Sequence, residues 1–291
     1  MKALTLNFCF DKERGMQIEH FKSGRTAFVG AGNMAEAIIK GLLAAGVMQP
    51  DQMEASDVIE SRRRYIQETY RINVCAQSRE MVRRADRVIL AVKPQAAPAV
   101  LAEIGPELES KPLISIVAGL TISAIKDRAA PSCRIIRTMP NTPLTVGEGM
   151  ICLAPDSAAL PEDIQCAQGV FQTVGRTLIV DESAMDAVTG LSGSGPAYAF
   201  LIIEALADGG VRMGLSRQTA QILAAQTLLG AARMCLDLPM HPAQLRDQVT
   251  SPAGTTIAGL HQLETAGVRA ALINAVEAAT RRSRELGNIS R

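Results

Sequence analysis

The chain has no tryptophan, and aromatic residues make up only 3% of its 291 positions. Recognition of single-stranded nucleic acid relies on aromatic platforms for stacked bases, so that function has little to build on. An excess of charge of either sign is also missing: 30 Lys and Arg face 29 Asp and Glu, a formal net charge of +1. Without a basic field, neither nucleic acid nor an anionic membrane surface is an expected partner. Histidine occurs only at His20, His241 and His261, and no Cys/His spacing suits zinc, so no metal centre is expected. The six cysteines, Cys9, Cys75, Cys133, Cys152, Cys166 and Cys235, form no CxxC pair. They read as structural thiols in a reducing, cytoplasmic compartment. No apolar run reaches the roughly 20 residues of a membrane span.

The apolar run from Ala3 to Phe10 meets Asp11-Lys12-Glu13-Arg14 without a small-x-small cleavage pattern, which argues against a secretory leader. Residues 1–22 read as a floppy N-terminal extension, and Met16 is a second candidate for the start of translation.

What is present points to two domains. The length is that of about two ordinary domains, and a 47% hydrophobic content supplies a sizeable core. From Arg25 to about residue 181, short apolar or β-branched runs alternate with helical patterns: Arg25–Gly30, Met53–Ser56, Asn73-Val74, Arg87–Val92, Leu113–Val117 and Arg134–Arg137. Continuous apolar strands between helices predict a doubly wound, parallel α/β sheet over residues 23–181, a Rossmann-type dinucleotide-binding domain. Residues 182–291 instead carry long Ala- and Leu-rich helical stretches and predict an all-α domain. Ser194 is the expected cap of a helix reaching Val211, Ser216 of one reaching Leu236, and Pro242 opens a short third. Ala and Gly on several faces of these helices require burial on more than one side, which favours a homodimer or larger homo-oligomer.

Two segments carry the chemistry. Gly30-x-Gly32-x-x-Ala35 follows a strand and opens a helix, the context in which this spacing binds a dinucleotide. Gly30 makes the tight turn, Gly32 admits the pyrophosphate, and Ala35 packs helix on strand. Asp57, at the end of the second strand, suits the ribose hydroxyls of NAD, whereas Ser56 and Arg62-Arg63-Arg64 suit a 2′-phosphate; the two readings remain open. Ala91-Val92-Lys93-Pro94 leaves the next strand at the same carboxyl edge, with Lys93 either near the cofactor phosphates or in solvent. Met139-Pro140-Asn141-Thr142-Pro143 forms a stiff turn, either near the nicotinamide or purely structural. Far downstream, Val249-Thr250-Ser251-Pro252-Ala253-Gly254-Thr255-Thr256 leads into a helical pattern and offers hydroxyls and backbone N–H groups to a small carboxylate.

These motifs, with Leu191-Ser192-Gly193-Ser194-Gly195-Pro196-Ala197-Tyr198, run in order from about Arg25 to Leu286 and resemble pyrroline-5-carboxylate reductase. The resemblance implies a helical dimerisation domain and NADPH- or NADH-dependent reduction of L-1-pyrroline-5-carboxylate to L-proline, the last step of proline biosynthesis. It implies cofactor contacts from Gly30, Ala31, Gly32, Asn33 and Met34, from Ser56, and from Ala91, Val92, Lys93 and Pro94. Ser78 stands where relatives often have Asn near the adenosine ribose. The substrate carboxylate is implied to lie on Ser251, Gly254, Thr255 and Thr256, with Thr256 the catalytic hydroxyl nearest the ring nitrogen. Ala253 stands where relatives commonly carry Gly, a change that fits a negative φ.

A cyclic imine suits the residue inventory, since no Lys follows Lys126 to act as an alcohol dehydrogenase base. That absence disfavours the alternative of a β-hydroxyacid dehydrogenase with the same two-domain plan. A non-catalytic dinucleotide-binding regulator is the other alternative. His241, beside Pro242, reads as a capping or packing residue before a general acid.

Overall fold

The computed structural model of the chain describes residues 24–289, so the expectations for residues 1–22, Cys9 and Met16 lie outside the described residues. By packing, residues 24–194 and 276–289 form one compact unit and residues 195–275 another.

The first unit is built on an eight-stranded sheet in the order β3-β2-β1-β4-β5-β6-β7-β8. Its strands are β1 Thr26–Val29, β2 Met53–Ser56, β3 Asn73–Cys75, β4 Arg87–Leu90, β5 Pro112–Ser115, β6 Arg134–Met139, β7 Gly149–Pro155 and β8 Gly175–Ile179. Helices α1 Asn33–Ala44, α2 Glu60–Tyr70, α3 Ser78–Arg84, α4 Ala97–Ile104, α5 Ile122–Lys126 and α6 Pro161–Gln172 connect them. Alternate residues of the central strands feed two separate cores. Phe28, Ile89 and Ile114 pack with Ile38, Ile39 and Leu42 of α1 on one face. Ala27, Val29, Val88, Leu90 and Leu113 pack with Leu101 and Ile104 of α4 on the other. This two-sided burial is why the strands read as unbroken apolar runs.

The first six strands match the sequence expectation, but the sheet does not end there. β7 runs antiparallel to β6, with Met139 opposite Cys152, and β8 returns parallel to β7. β8, Gly-Arg-Thr-Leu-Ile, escapes a reading by apolar runs because it is only half-buried, whereas β7 is itself a buried apolar run. The parallel registers place Val29 beside both Ser56 and Leu90, and Ser56 beside Cys75. The loops after β1, β2, β3 and β4 therefore leave from one edge.

After β8 the chain forms α7, Met185–Val188, and a π-turn, Thr189–Gly193. Ser194 is right-handed helical, with φ −87° and ψ −23°, so it does not cap the next helix as expected. The helical path is already running when it reaches Ser194, and no orphan N–H groups are left to satisfy.

The second unit contains α8 Gly195–Arg212, α9 Arg217–Asp237, α10 Pro242–Gln248, α11 Thr255–Thr265 and the start of α12, Val268–Ile289. Ser216 caps α9 as the sequence predicts, its Oγ accepting the Thr219 N–H at 3.2 Å. The core of this unit is small: Ala207, Ala220 and Ala224 pack with Ile203 and Val211. Its large apolar side chains lie outside, including Phe200, Leu201, Ile222, Leu223, Leu229 and Ile273. Among the described residues, no helix is long and apolar enough to cross a membrane.

Candidate active site

The carboxyl edge of the sheet starts from one close approach. Gly30 has φ +96°, and a Cβ there would lie 2.7 Å from the Ala91 carbonyl oxygen. Only glycine lets the turns after β1 and β4 meet in this way. Above Gly32 a Cβ would meet nothing within 4 Å, so the turn is open on the side a ligand would occupy. Gly32 is the N-cap of α1 and contributes no side-chain acceptor. The first N–H groups of Asn33, Met34 and Ala35 thus form an anion cradle at the positive end of a 12-residue helix. An open glycine turn ahead of uncapped helix N–H groups fits a dinucleotide pyrophosphate.

Asp57 fastens this turn to β2. Its Oδ2 accepts the Ala31 N–H at 3.1 Å, and its Oδ1 accepts the Ile59 N–H at 2.9 Å. Behind it, Arg62 donates to the Ala31 carbonyl and pairs with Glu36 of α1. Burial raises the Glu36 carboxyl pKa, but hydrogen bonds from Arg62, Tyr70 and Tyr65 outweigh it and leave the pKa below the ordinary value. The glycine turn is therefore held by charge-assisted contacts from α2, which composition alone did not suggest. Ser56 is buried, and its hydroxyl lies 2.9 Å from that of Ser78 in the first turn of α3. Ala91 and Val92 are half-buried, while Lys93 and Pro94 are exposed.

Met139-Pro140-Asn141-Thr142-Pro143 has a visible structural duty. Asn141 Oδ1 accepts the Met150 N–H at 2.8 Å, and Nδ2 donates to the Ser192 carbonyl at 3.0 Å. One side chain thus joins the turn after β6 to β7 and to the π-turn. Extra-residue turns inside helices are frequent at functional sites. The Pro-Asn-Thr-Pro spacing signals a turn, but no local pattern reveals a partner 51 residues away.

The segment expected to hold the substrate lies in the second unit. A turn bond runs from the Gly254 N–H to the Ser251 carbonyl at 3.1 Å, and Thr250 Oγ1 donates to the Arg246 carbonyl at 2.7 Å. A Cβ on Gly254 would fall 2.2 Å from Ser251 Oγ, so the serine side chain folds over a position only glycine can fill. Gly254 is the N-cap of α11, again without a side-chain acceptor, followed by Thr255 and Thr256 in the first turn. Ser251 and Thr255 are exposed and Thr256 is half-buried. The arrangement is a helix N-terminus fringed by three hydroxyls.

The expectation of a negative φ at Ala253 is overturned, because its φ is +56°. The Ser251–Gly254 turn needs a left-handed residue at its third position, a need the sequence meets with alanine under strain. His241 caps α10, with Nδ1 accepting the Ala243 N–H at 3.2 Å and Gln244 completing the box.

The five described cysteines are free thiols. Burial pushes Cys133 up to about 12 and Cys166 up to about 11, which leaves both protonated and inert. Cys235, read from the sequence as a structural thiol, is exposed. Among the described residues, no group of three or more His, Cys, Asp or Glu could hold a metal ion.

The two spans match known families. Residues 25–119 match the family described as NADP oxidoreductase coenzyme F420-dependent, and residues 182–286 match pyrroline-5-carboxylate reductase dimerisation. The pyrroline-5-carboxylate reductase of Methanosarcina acetivorans is 48% identical, over 90% of this chain and 98% of its own. That of Arabidopsis thaliana is 47% identical, over 92% and 96%. Among solved structures, the enzyme from Coxiella burnetii superposes with a TM-score of 0.87 at 35% identity, over 91% of this chain and 99% of its own. Plasmodium falciparum pyrroline carboxylate reductase, solved with NADP bound, gives 0.83 at 33% identity, over 92% and 99%. These matches favour a reductase over the hydroxyacid dehydrogenase and the non-catalytic regulator. With both of the expected site segments inside the matched spans, the chain belongs to the family of pyrroline-5-carboxylate reductases, NAD(P)-dependent oxidoreductases.

Proposed function

We propose that this chain reduces L-1-pyrroline-5-carboxylate to L-proline with NADPH, NADH serving as the weaker donor, and that the segment from Ser251 to Thr256 holds the substrate. The observation that carries the reading is the open N-terminus of α11, where uncapped N–H groups and the hydroxyls of Ser251, Thr255 and Thr256 suit one small carboxylate. The uncapped first turn of α1, with Gly30 to Met34, supports binding of the cofactor pyrophosphate, Ser56 and Ser78 its adenosine ribose, and Ala91 to Pro94 its further contacts.

When bound, the nicotinamide supplies a hydride to the imine carbon. The C=N electron pair then passes to the ring nitrogen, which ends as the secondary amine of proline. The chain's part is to orient the imine by its carboxylate and to keep a hydroxyl, that of Thr256, beside the nitrogen. No dedicated general acid is required, because an imine protonated from solvent or through Thr256 is already activated. His241, engaged as a helix cap, is left out of the chemistry.

The exposed apolar side chains of α8, α9 and α12 support a homodimer or larger homo-oligomer formed through the second unit. The five described cysteines, all free thiols, support action in the cytoplasm. The decisive experiment incubates pure protein with L-1-pyrroline-5-carboxylate and NADPH or NADH, following cofactor absorbance and proline. Matched loss of reduced cofactor and gain of proline supports the proposal; no turnover with either cofactor sinks it.

A further inference from the structure

The loop after β2 bears on cofactor choice in a way its sequence does not suggest. An acidic residue at this position ordinarily accepts hydrogen bonds from the ribose hydroxyls and repels a 2′-phosphate. Here Asp57 is committed elsewhere, with one oxygen on the Ala31 N–H and the other on the Ile59 N–H. The three arginines that follow are not equivalent. Arg62 is spent on the Ala31 carbonyl and Glu36, and Arg64 on Glu60 at 2.9 Å. Arg63 makes a single contact, Nη1 to the Asp57 carbonyl at 2.7 Å, and its Nε and Nη2 carry no other hydrogen bond among the described residues. Its guanidinium is therefore anchored at the carboxyl end of β2 through Nη1, with Nε and Nη2 both open. The Ser56 hydroxyl, at the end of β2, and that of Ser78, at the start of α3, lie 2.9 Å apart. Val58 and Ile59, 89% and 58% exposed in the same loop, offer the adenine an apolar ledge.

We propose that Arg63 reads the 2′-phosphate of the dinucleotide, so that the preference of this chain for NADPH over NADH resides in the first turn of α2. A planar guanidinium with two open donors suits a phosphate dianion, and one anchored by its third donor loses little freedom on binding it. The inference rests on NADPH being the better cofactor.

The test is binding, which is independent of turnover. Titration calorimetry with NADPH, NADH, 2′,5′-ADP and 5′-AMP is run on the full chain and on Arg63→Gln, Arg63→Lys and Arg64→Gln. Arg63→Gln should weaken NADPH and 2′,5′-ADP roughly 10- to 100-fold, the value of a charge-assisted contact, while NADH and 5′-AMP change less than about twofold. Arg63→Lys should recover part of the loss, and Arg64→Gln should match the parent protein. Equal weakening of NADPH and NADH would mean a structural role and overturn the proposal, as would unchanged NADPH binding. If the chain binds NADPH as described but forms no proline, the functional reading fails and this one stands.

Discussion

Asn141 donates its amide hydrogen to the Ser192 carbonyl at 3.0 Å, tying the turn after β6 to a π-turn 51 residues later. Its oxygen meanwhile accepts the Met150 N–H. Asn141→Ala should therefore cost about 2 kcal/mol, since two bonds go and a half-buried N–H is left without its acceptor. Asn141→Asp keeps the acceptor but sets a carboxylate against a carbonyl. It should be destabilised at pH 7 and recover stability as acid protonates the new group, and thermal melts across pH would show this.

Ala253, at φ +56°, occupies a conformation that costs an L-residue about 1–2 kcal/mol. Glycine there removes the strain but adds about 0.4–1 kcal/mol of unfolded-state entropy to be lost. The balance predicts that Ala253→Gly gains about 0.5–1 kcal/mol, readable as a higher urea midpoint at unchanged slope. A lower midpoint would contradict the strain assignment.

Ser251→Ala and Thr256→Ala should separate in steady-state kinetics. Loss of a carboxylate contact at Ser251 should raise KM for the imine by roughly tenfold with kcat little changed. Thr256→Ala should lower kcat, and the deficit should shrink below the imine pKa, where the ring nitrogen arrives protonated. Equal, pH-independent effects of both would remove Thr256 from the chemistry.

Hydrogen bonds from Arg83 and then Arg79 hold the Glu107 carboxyl down to about 2, against 4.5 for the free group. A depressed folded-state value means that the contribution is complete above about pH 4.5 and lost as the pH falls towards 2. Glu107→Gln should be less stable than the parent at pH 7, with the gap closing between pH 4.5 and 2. A gap independent of pH would assign the effect to packing.

Gly30→Ala should abolish dinucleotide binding, because its Cβ would sit 2.7 Å from the Ala91 carbonyl oxygen and force the two turns apart. Calorimetry with NADPH, beside circular dichroism to follow folding, tests this. Retained affinity would contradict the close approach.

The sequence alone determined the alternating β-α plan, the glycine turn at Gly30 and Gly32, the caps at Ser216 and His241, and the hydroxyl-rich entry to α11. Each rests on residues within a few positions of one another, where period and turn chemistry act directly. The direction of β7, the inward commitment of Asp57, the left-handed Ala253, the helical Ser194 and the reach of Asn141 were decided by tertiary structure. A strand's direction is set by the neighbours it pairs with, and a carboxylate turns to whichever donors the fold brings near. Asp57 read alone favours NAD, and only the Ala31 and Ile59 N–H groups that engage it leave the choice of cofactor to Arg63.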